Sequence, residues 1–403
     1  MRQHLRICVL AALLAAARIG FSLPSDCSLV AVDATAQKVQ TARQHLLALP
    51  IGNGLESDVS AEAQEEIASM KASLEDFIAS SMRCAGPNPN PAEIQKGLST
   101  KTQAFALENR AYGVNELPEE ANNYGFQLMF DVRRGPDHSG LIGITSTFQI
   151  ECGMDSVLVL FAPENNSWKE VVQWTSKPYK TVAGAFWSFD YQVSPPDESG
   201  HWFVVTKSID PWCSSTWSMI RYSVLRPVPG SLTPDRIFSG SDFMWWGNDD
   251  YGSLSVESQK FDLKFHSASI DGGVHNRVWV RDFSVIGNTV HRIPPLAVSP
   301  RDFVDEWVVS PWKVAAHWSG PKALERLHTA HDLRLKPLAE FDSVRKCSDR
   351  PDHYQVAVQI GNGDQLQYFQ VTGDQENYKM EAVDKLPAPA CNGPDLLDSM
   401  ATK

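Results

Sequence analysis

Two adjacent tryptophans precede a turn rich in amides and acids in the stretch "SDFMWWGNDDYGSLS". Aromatic rings stack on the apolar faces of sugars, and amides and carboxylates hydrogen-bond to hydroxyl groups. In a strand, neighbouring side chains point to opposite faces, so only one of the two rings can join a core on a given side. The stretch therefore offers a candidate surface for a neutral glycan, while a ring covered by a second layer or by an interface is the commoner arrangement. The candidate residues are Trp245, Trp246, Asn248, Asp249, Asp250 and Tyr251.

Tryptophan is confined to the middle of the chain, since all twelve lie between Trp168 and Trp318. Tryptophan is also a large core residue, so most of these rings have a structural explanation. In "AFWSFDYQV" the alternation places Trp187 on a buried face. Trp212 and Trp217 flank Cys213, where an aromatic ring packs on sulfur.

Acidic pairs are the second source of chemistry in the sequence. Two carboxylates across a cleft hydrolyse glycosidic bonds, but adjacent acids on a strand point to opposite faces. The pairs are Asp197–Glu198, Asp249–Asp250 and Asp305–Glu306. The chain contains no G-x-S-x-G, H-E-x-x-H, Walker or G-x-G-x-x-G motif. Catalytic residues are therefore unknown, and the sequence favours a protein that is not an enzyme.

Histidines and cysteines are the candidate metal ligands of the sequence. Glu325, His328 and His331 are three residues apart on a predicted helix, a spacing more often found for surface or core histidines. None of the cysteines occurs in a C-x-x-C pair. We expect no metal site and no cofactor.

The N-terminus "MRQHLRICVLAALLAAARIGFS" predicts a signal peptide over residues 1–22. Its apolar run is too short to span a bilayer, so we expect no stable membrane anchor after cleavage. The predicted localisation is secreted or periplasmic. The net charge of −12 repels phosphate backbones, which makes nucleic acid an improbable partner.

Six cysteines follow the predicted signal peptide, and an even number in an exported chain favours disulfides. A helical hairpin would bring Cys27 to Cys84. Turn positions pair Cys152 with Cys213, and a small meander brings Cys347 to Cys391.

The pattern of apolar residues predicts a mainly β protein, antiparallel and either propeller-like or a sandwich. A helical N-terminal segment is expected over 23–115 and a Trp-rich β domain over 124–310. An α+β module over 311–403 would hold a helix at 319–335 and a three-stranded meander.

The sequence is compatible with three functions. The first is an exported, disulfide-stabilised, non-catalytic binding protein whose ligand is a carbohydrate. The second is a carbohydrate-active hydrolase using a carboxylate pair that the sequence does not locate. The third is a structural envelope protein whose aromatic surface meets a protein partner.

Overall fold

The computed structural model describes most of the chain from Cys27 onward. The described ranges are 27–49, 58–103, 124–137, 139–151, 153–211, 217–245, 251–271, 277–293, 297–332, 339–360, 366–374 and 377–397.

Three helices open the structure, and each begins at a residue whose side chain accepts a backbone N–H. They are α1 (Leu29–Leu47), α2 (Ala61–Arg83) and α3 (Pro91–Thr102). The caps are Ser28, Ser60 and Asn90. Helix α1 begins at Leu29, where the Ser28 hydroxyl accepts the N–H of Ala31.

In the described residues, sixteen strands form four antiparallel sheets, and each sheet contains four strands that are neighbours in sequence. Sheet A contains β1 (Leu128–Arg134), β2 (Ile142–Ile150), β3 (Gly153–Glu164) and β4 (Ser167–Thr175). Sheet B contains β5 (Ser188–Val193), β6 (Val204–Ile209), β7 (Trp217–Arg226) and β8 (Asp235–Trp245). Sheet C contains β9 (Ser253–Val256), β10 (Lys260–Ser267), β11 (Arg277–Ile286) and β12 (Thr289–Ile293). Sheet D contains β13 (Ala339–Lys346), β14 (His353–Ile360), β15 (Leu366–Thr372) and β16 (Lys379–Asp384).

This architecture confirms the predicted fold class, mainly antiparallel β with helices at the N-terminus and near the C-terminus. Each sheet is a meander, the order found in a propeller blade, and sheet B packs face to face on both sheet A and sheet C. The strands of the described ranges do not close into a barrel.

Sheet A is covered on both faces, which explains the unbroken apolar run "VLVLF" in β3. Val157 and Val159 share a core with the N-terminal helices, whereas Leu158 and Leu160 pack against sheet B. Gly143 permits this close approach, because a Cβ there would overlap the Tyr191 hydroxyl.

Sheet B also packs on both sides, but less evenly. Ile220, Tyr222 and Met244 face sheet C, together with Phe261 and Phe283 of that sheet. On the other face, Val204 and Leu225 pack on sheet A. The half of that face formed by the far ends of β7 and β8 is more exposed.

A helix that the sequence pattern missed follows sheet C. Residues 300–309, which were expected within the β domain, form α4 (Pro300–Val309). Ser299 caps it, Pro300 occupies the first turn, and Asp302 lies near its positive end. Trp307 and Phe303 of α4 pack on sheet D.

Two short helices, α5 (Trp312–Ala315) and α6 (Leu324–Asp332), precede sheet D. Helix α6 begins at Leu324, later than the start of the predicted helix over 319–335, and residues 333–335 lie outside the described residues. Sheet D includes β13 before the three strands that the sequence predicted. The boundaries between domains stay a prediction.

Disulfides join Cys27 to Cys84 and Cys347 to Cys391, two of the three predicted pairs. The first closes the hairpin of α1 and α2 over a separation of 57 residues. Closing such a loop stabilises a fold by about 3–4 kcal/mol in the loop-entropy description. Cys152 and Cys213 lie outside the described residues, as does the predicted signal peptide.

Within the described ranges, none of the helices combines the length and apolarity that a bilayer crossing requires.

Candidate functional site

The far ends of β7 and β8 bring together three aromatic side chains on one face of sheet B. Trp245 lies opposite Trp217, and Phe243 lies opposite Met219 in the antiparallel register. Because cross-strand partners and residues two apart share a face, Trp217, Phe243 and Trp245 point to the same side. We call these three residues the outer aromatic surface.

The rings of the outer aromatic surface are arranged as a platform. Trp217 and Phe243 stack with centroids 5.2 Å apart and planes only 5° from parallel. Phe243 is 44% exposed, although its neighbour Met244 on the opposite face is fully buried. Trp245 is half-buried and meets the edge of the His266 ring at 6.2 Å. Phe243 is exposed and Trp217 is half-buried, so the stacked pair leaves part of its apolar area in contact with solvent.

A charged pair lies beside the rings on the same face. The Arg221 guanidinium donates to both carboxylate oxygens of Asp210, at 2.7 Å and 2.6 Å. Burial raises the pKa of the Asp210 carboxyl more than Arg221 lowers it. The opposite partner, Ser241, is exposed on β8, so polar groups border the aromatic rings.

Two of the six candidate residues of the sequence lie in the described part of the chain. Trp245 belongs to the outer aromatic surface. Tyr251 packs instead beside the core between sheets B and C, and its hydroxyl accepts from the Trp187 indole at 3.3 Å. Its backbone carbonyl accepts from Lys207 at 3.2 Å. Trp246, Asn248, Asp249 and Asp250 lie outside the described residues.

The acidic pair of α4 is buried and bound by arginines. Glu306 is 2% exposed and contacts Arg277, Arg281 and Arg292 at 3.1, 3.0 and 2.8 Å. Asp305 lies 3.3 Å from Arg277. We call these five residues the α4 charge cluster.

The pKa values of the two acids in the α4 charge cluster are shifted in opposite directions. Burial raises the pKa of Asp305, and the pull of Arg277 does not offset it. Burial acts on Glu306 too, but the attraction of Arg281, Arg277 and Arg292 is stronger and lowers its pKa to about 2. Carboxylates held this way join sheet C to α4, and a polysaccharide chain could not reach them.

The acidic pair that begins at Asp197 lies in the turn between β5 and β6. Asp197 accepts from the backbone N–H groups of Ser199 and His201, both at 2.9 Å. These bonds, that of His201 foremost, lower the pKa of Asp197. The residue is a turn-forming aspartate.

A buried serine and lysine meet between α2 and sheet A. Lys71 donates to Ser176 at 2.9 Å and lies 3.2 Å from Asp155, which also accepts from Tyr179 at 3.0 Å. A serine–lysine pair serves as nucleophile and base in some hydrolases. Here the ion pair with Asp155 engages the amine, so the group anchors α2 on sheet A.

The histidines of α6 pack on tryptophans. His328 stacks on Trp312 with centroids 4.5 Å apart. His331 is buried, and its Nε2 lies 3.1 Å from the carbonyl oxygen of Trp307. Both rings therefore pack against tryptophans of α4 and α5.

Sequence reasoning missed Phe243 and gave Trp217 only a structural role. The spacing of two between Phe243 and Trp245 was a usable signal, because such residues share a strand face. Pairing with Trp217 depends on the register of β7 and β8, which the sequence does not show.

Comparisons with known proteins do not assign a function to this site. No protein-family model matches the chain, and no curated protein matches it. The function is therefore inferred from the outer aromatic surface itself.

Proposed function

We propose that the chain is an exported, non-catalytic binding protein and that its outer aromatic surface binds carbohydrate. The observation that carries the proposal is the parallel stack of Trp217 and Phe243, with Phe243 exposed. A flat apolar platform bordered by hydrogen-bonding groups matches a pyranose ring, which has apolar faces and a polar rim.

A neutral glycan suits the surface better than a charged one. The charges nearest the rings, Arg221 and Asp210, neutralise each other in a bidentate pair. The chain as a whole is acidic, so an anionic polysaccharide would meet general repulsion.

Export is part of the same proposal. The signal-like N-terminus and the disulfides both suit an oxidising compartment. A glycan of the cell envelope or its surroundings would be available to a secreted or a periplasmic protein.

The test is a titration of the protein, without residues 1–22, with a panel of soluble neutral polysaccharides while tryptophan fluorescence is followed. We expect a saturable shift for at least one glycan. Phe243→Ala, Trp217→Ala and Trp245→Ala should each weaken binding, and Trp246→Ala tests the adjacent ring. Ile286→Ala is the matched control, because Ile286 is an exposed apolar residue of sheet C at 64% exposure.

Each other outcome has a clear meaning. Reducing-sugar release in the same samples would replace the binding protein with a hydrolase. Binding that survives all four aromatic substitutions would move the glycan site elsewhere. If no glycan shifts the fluorescence, the proposal fails and the aromatic surface is better explained as a contact for a protein partner.

A further inference from the structure

Cys347, His353 and Cys391 form a second cluster at one end of sheet D, which we call the C-terminal cluster. Cys347 follows β13, His353 begins β14, and Cys391 lies after β16. One sulfur or ring-nitrogen atom from each residue lies within 4.8 Å of the others. All three residues are more than nine-tenths buried.

The imidazole of His353 is held by one nitrogen only. Its Nδ1 lies 2.8 Å from a carboxylate oxygen of Asp349. Its Nε2 is buried and has no hydrogen-bond partner among the described residues. Buried polar atoms are rarely left in this condition, so the nitrogen calls for an explanation. Metal-binding histidines usually have this environment, in which a carboxylate orients one ring nitrogen and the other is left for the ion.

A glutamine side chain completes the surroundings of the sulfurs. Gln370 Oε1 lies 3.7 Å from Cys391 Sγ, and its Nε2 donates to Gln355 at 3.1 Å, which fixes the orientation of the amide. A disulfide sulfur carries no hydrogen, so it cannot donate to this oxygen, whereas a thiol can. The Gln370 amide oxygen could therefore accept a hydrogen bond from the Cys391 thiol when the disulfide is reduced.

We propose that Cys347, Cys391 and His353 bind a zinc ion when the Cys347–Cys391 disulfide is reduced. A dithiol supplies two electrons and two protons, breaks the S–S bond and leaves as its own disulfide. Zn²⁺ then replaces the two thiol protons, which pass to solvent, and accepts the lone pair of His353 Nε2. The disulfide and the metal are alternative cross-links at the same place.

The donor set has the chemistry that zinc prefers. Two thiolates and an imidazole are ordinary zinc ligands, with bonds of about 2.0–2.3 Å and tetrahedral angles. Such bonds place donor atoms about 3.5 Å apart. The two sulfurs, which are bonded to each other in the disulfide, must therefore separate after reduction, while the His353 ring already lies within 4.8 Å of them. The Gln370 amide oxygen or a water molecule would fill the fourth position. Among the described residues, the Cys27–Cys84 pair has no comparable third ligand.

The experiment uses the whole protein, reduced with dithiothreitol and desalted without oxygen, then titrated with Co²⁺ as a spectroscopic probe. Alkylation and mass spectrometry verify that Cys347 and Cys391 are thiols. We expect a thiolate-to-cobalt absorption band that Zn²⁺ abolishes. The oxidised protein should give no such band.

Variants assign the ligands. Cys347→Ser with Cys391→Ser should remove the band. His353→Ala should weaken Co²⁺ binding at least about tenfold, and Asp349→Asn by about 10–100-fold through the ring that it orients. The matched controls are Cys27→Ser with Cys84→Ser and Cys152→Ser with Cys213→Ser, which should retain the band. Should the reduced chain unfold, Zn²⁺ should restore its circular dichroism spectrum, because metal binding then drives folding.

Three results would overturn the proposal. One is reduced protein that neither shows the band nor recovers its fold with Zn²⁺. Another is a band that persists without Cys347 and Cys391. The third is Co²⁺ affinity that is unchanged in His353→Ala.

Discussion

The outer aromatic surface and the α4 charge cluster both depart from the usual distribution of side chains, but in opposite ways. At the ends of β7 and β8, a large apolar ring faces solvent. Between sheet C and α4, arginines and acids are buried. Each buried charge has an oppositely charged partner, whereas the outward face of Phe243 has solvent. Buried charged groups that have oppositely charged partners therefore indicate a structural role. An exposed apolar surface is the better indicator of a binding site.

The largest expected effect comes from breaking the buried region. Glu306→Ala leaves Arg277 and Arg281 buried without their shared carboxylate. We expect a loss of about 3–5 kcal/mol in the free energy of unfolding, measured with urea. Asp384→Ala is the control, because its ion pair with Arg326 is exposed and contributes about 0–1 kcal/mol. Equal losses in the two variants would contradict this interpretation of the cluster.

Acid should weaken the same region. The pKa of Glu306 falls from 4.5 to about 2 in the folded state, so its contribution to stability is complete above pH 4.5 and is lost as the pH falls toward 2. The contribution is about 3 kcal/mol, as expected for a shift of this size. The raised pKa of Asp305 acts in the opposite sense and reduces the net change.

The measurement is the urea midpoint as a function of pH in the wild type and in Glu306→Gln. The amide that replaces the carboxyl does not titrate, so the midpoint of the variant should fall less steeply between pH 4.5 and about 2. Parallel curves would show that Glu306 is not the group that titrates in this range.

The exposed region should respond in binding rather than in stability. Phe243→Ala should weaken glycan binding about tenfold, or about 1.4 kcal/mol. It should change the free energy of unfolding by less than about 1 kcal/mol, because much of the ring is already in water. Isothermal calorimetry and urea unfolding measure the two quantities. A larger loss of stability than of binding would make Phe243 a structural residue.

The smallest effect is expected at Tyr251, next to the platform in sequence but directed toward Trp187. Tyr251→Phe removes a hydrogen bond of 3.3 Å and should cost about 0.5–1 kcal/mol of stability. Glycan affinity, measured by the same calorimetry, should stay within about twofold. A loss as large as that of Phe243→Ala would instead place Tyr251 in the glycan site.

Local patterns in the sequence were sufficient for much of the fold. The pattern of apolar residues predicted the antiparallel β fold, and the helical segment expected over 23–115 contains α1, α2 and α3. The helix at 300–309 was missed because the stretch was included in the predicted β domain over 124–310, although Phe303, Val304, Trp307 and Val308 recur at helical spacing. The disulfides Cys27–Cys84 and Cys347–Cys391 were predicted because a helical hairpin and a small meander each bring their two ends close together.

The sequence by itself determined the residue types: a tryptophan-rich middle, an even set of cysteines after residue 22, and an acidic balance. Only the tertiary structure decided which of these residues meet. The register of β7 and β8 placed Phe243 beside Trp217. The antiparallel pairing within sheet D placed His353 beside the sulfurs of Cys347 and Cys391, which are 6 and 38 residues away in the sequence. The physical reason is that strand faces follow from local alternation, whereas contacts between strands depend on pairing over long separations.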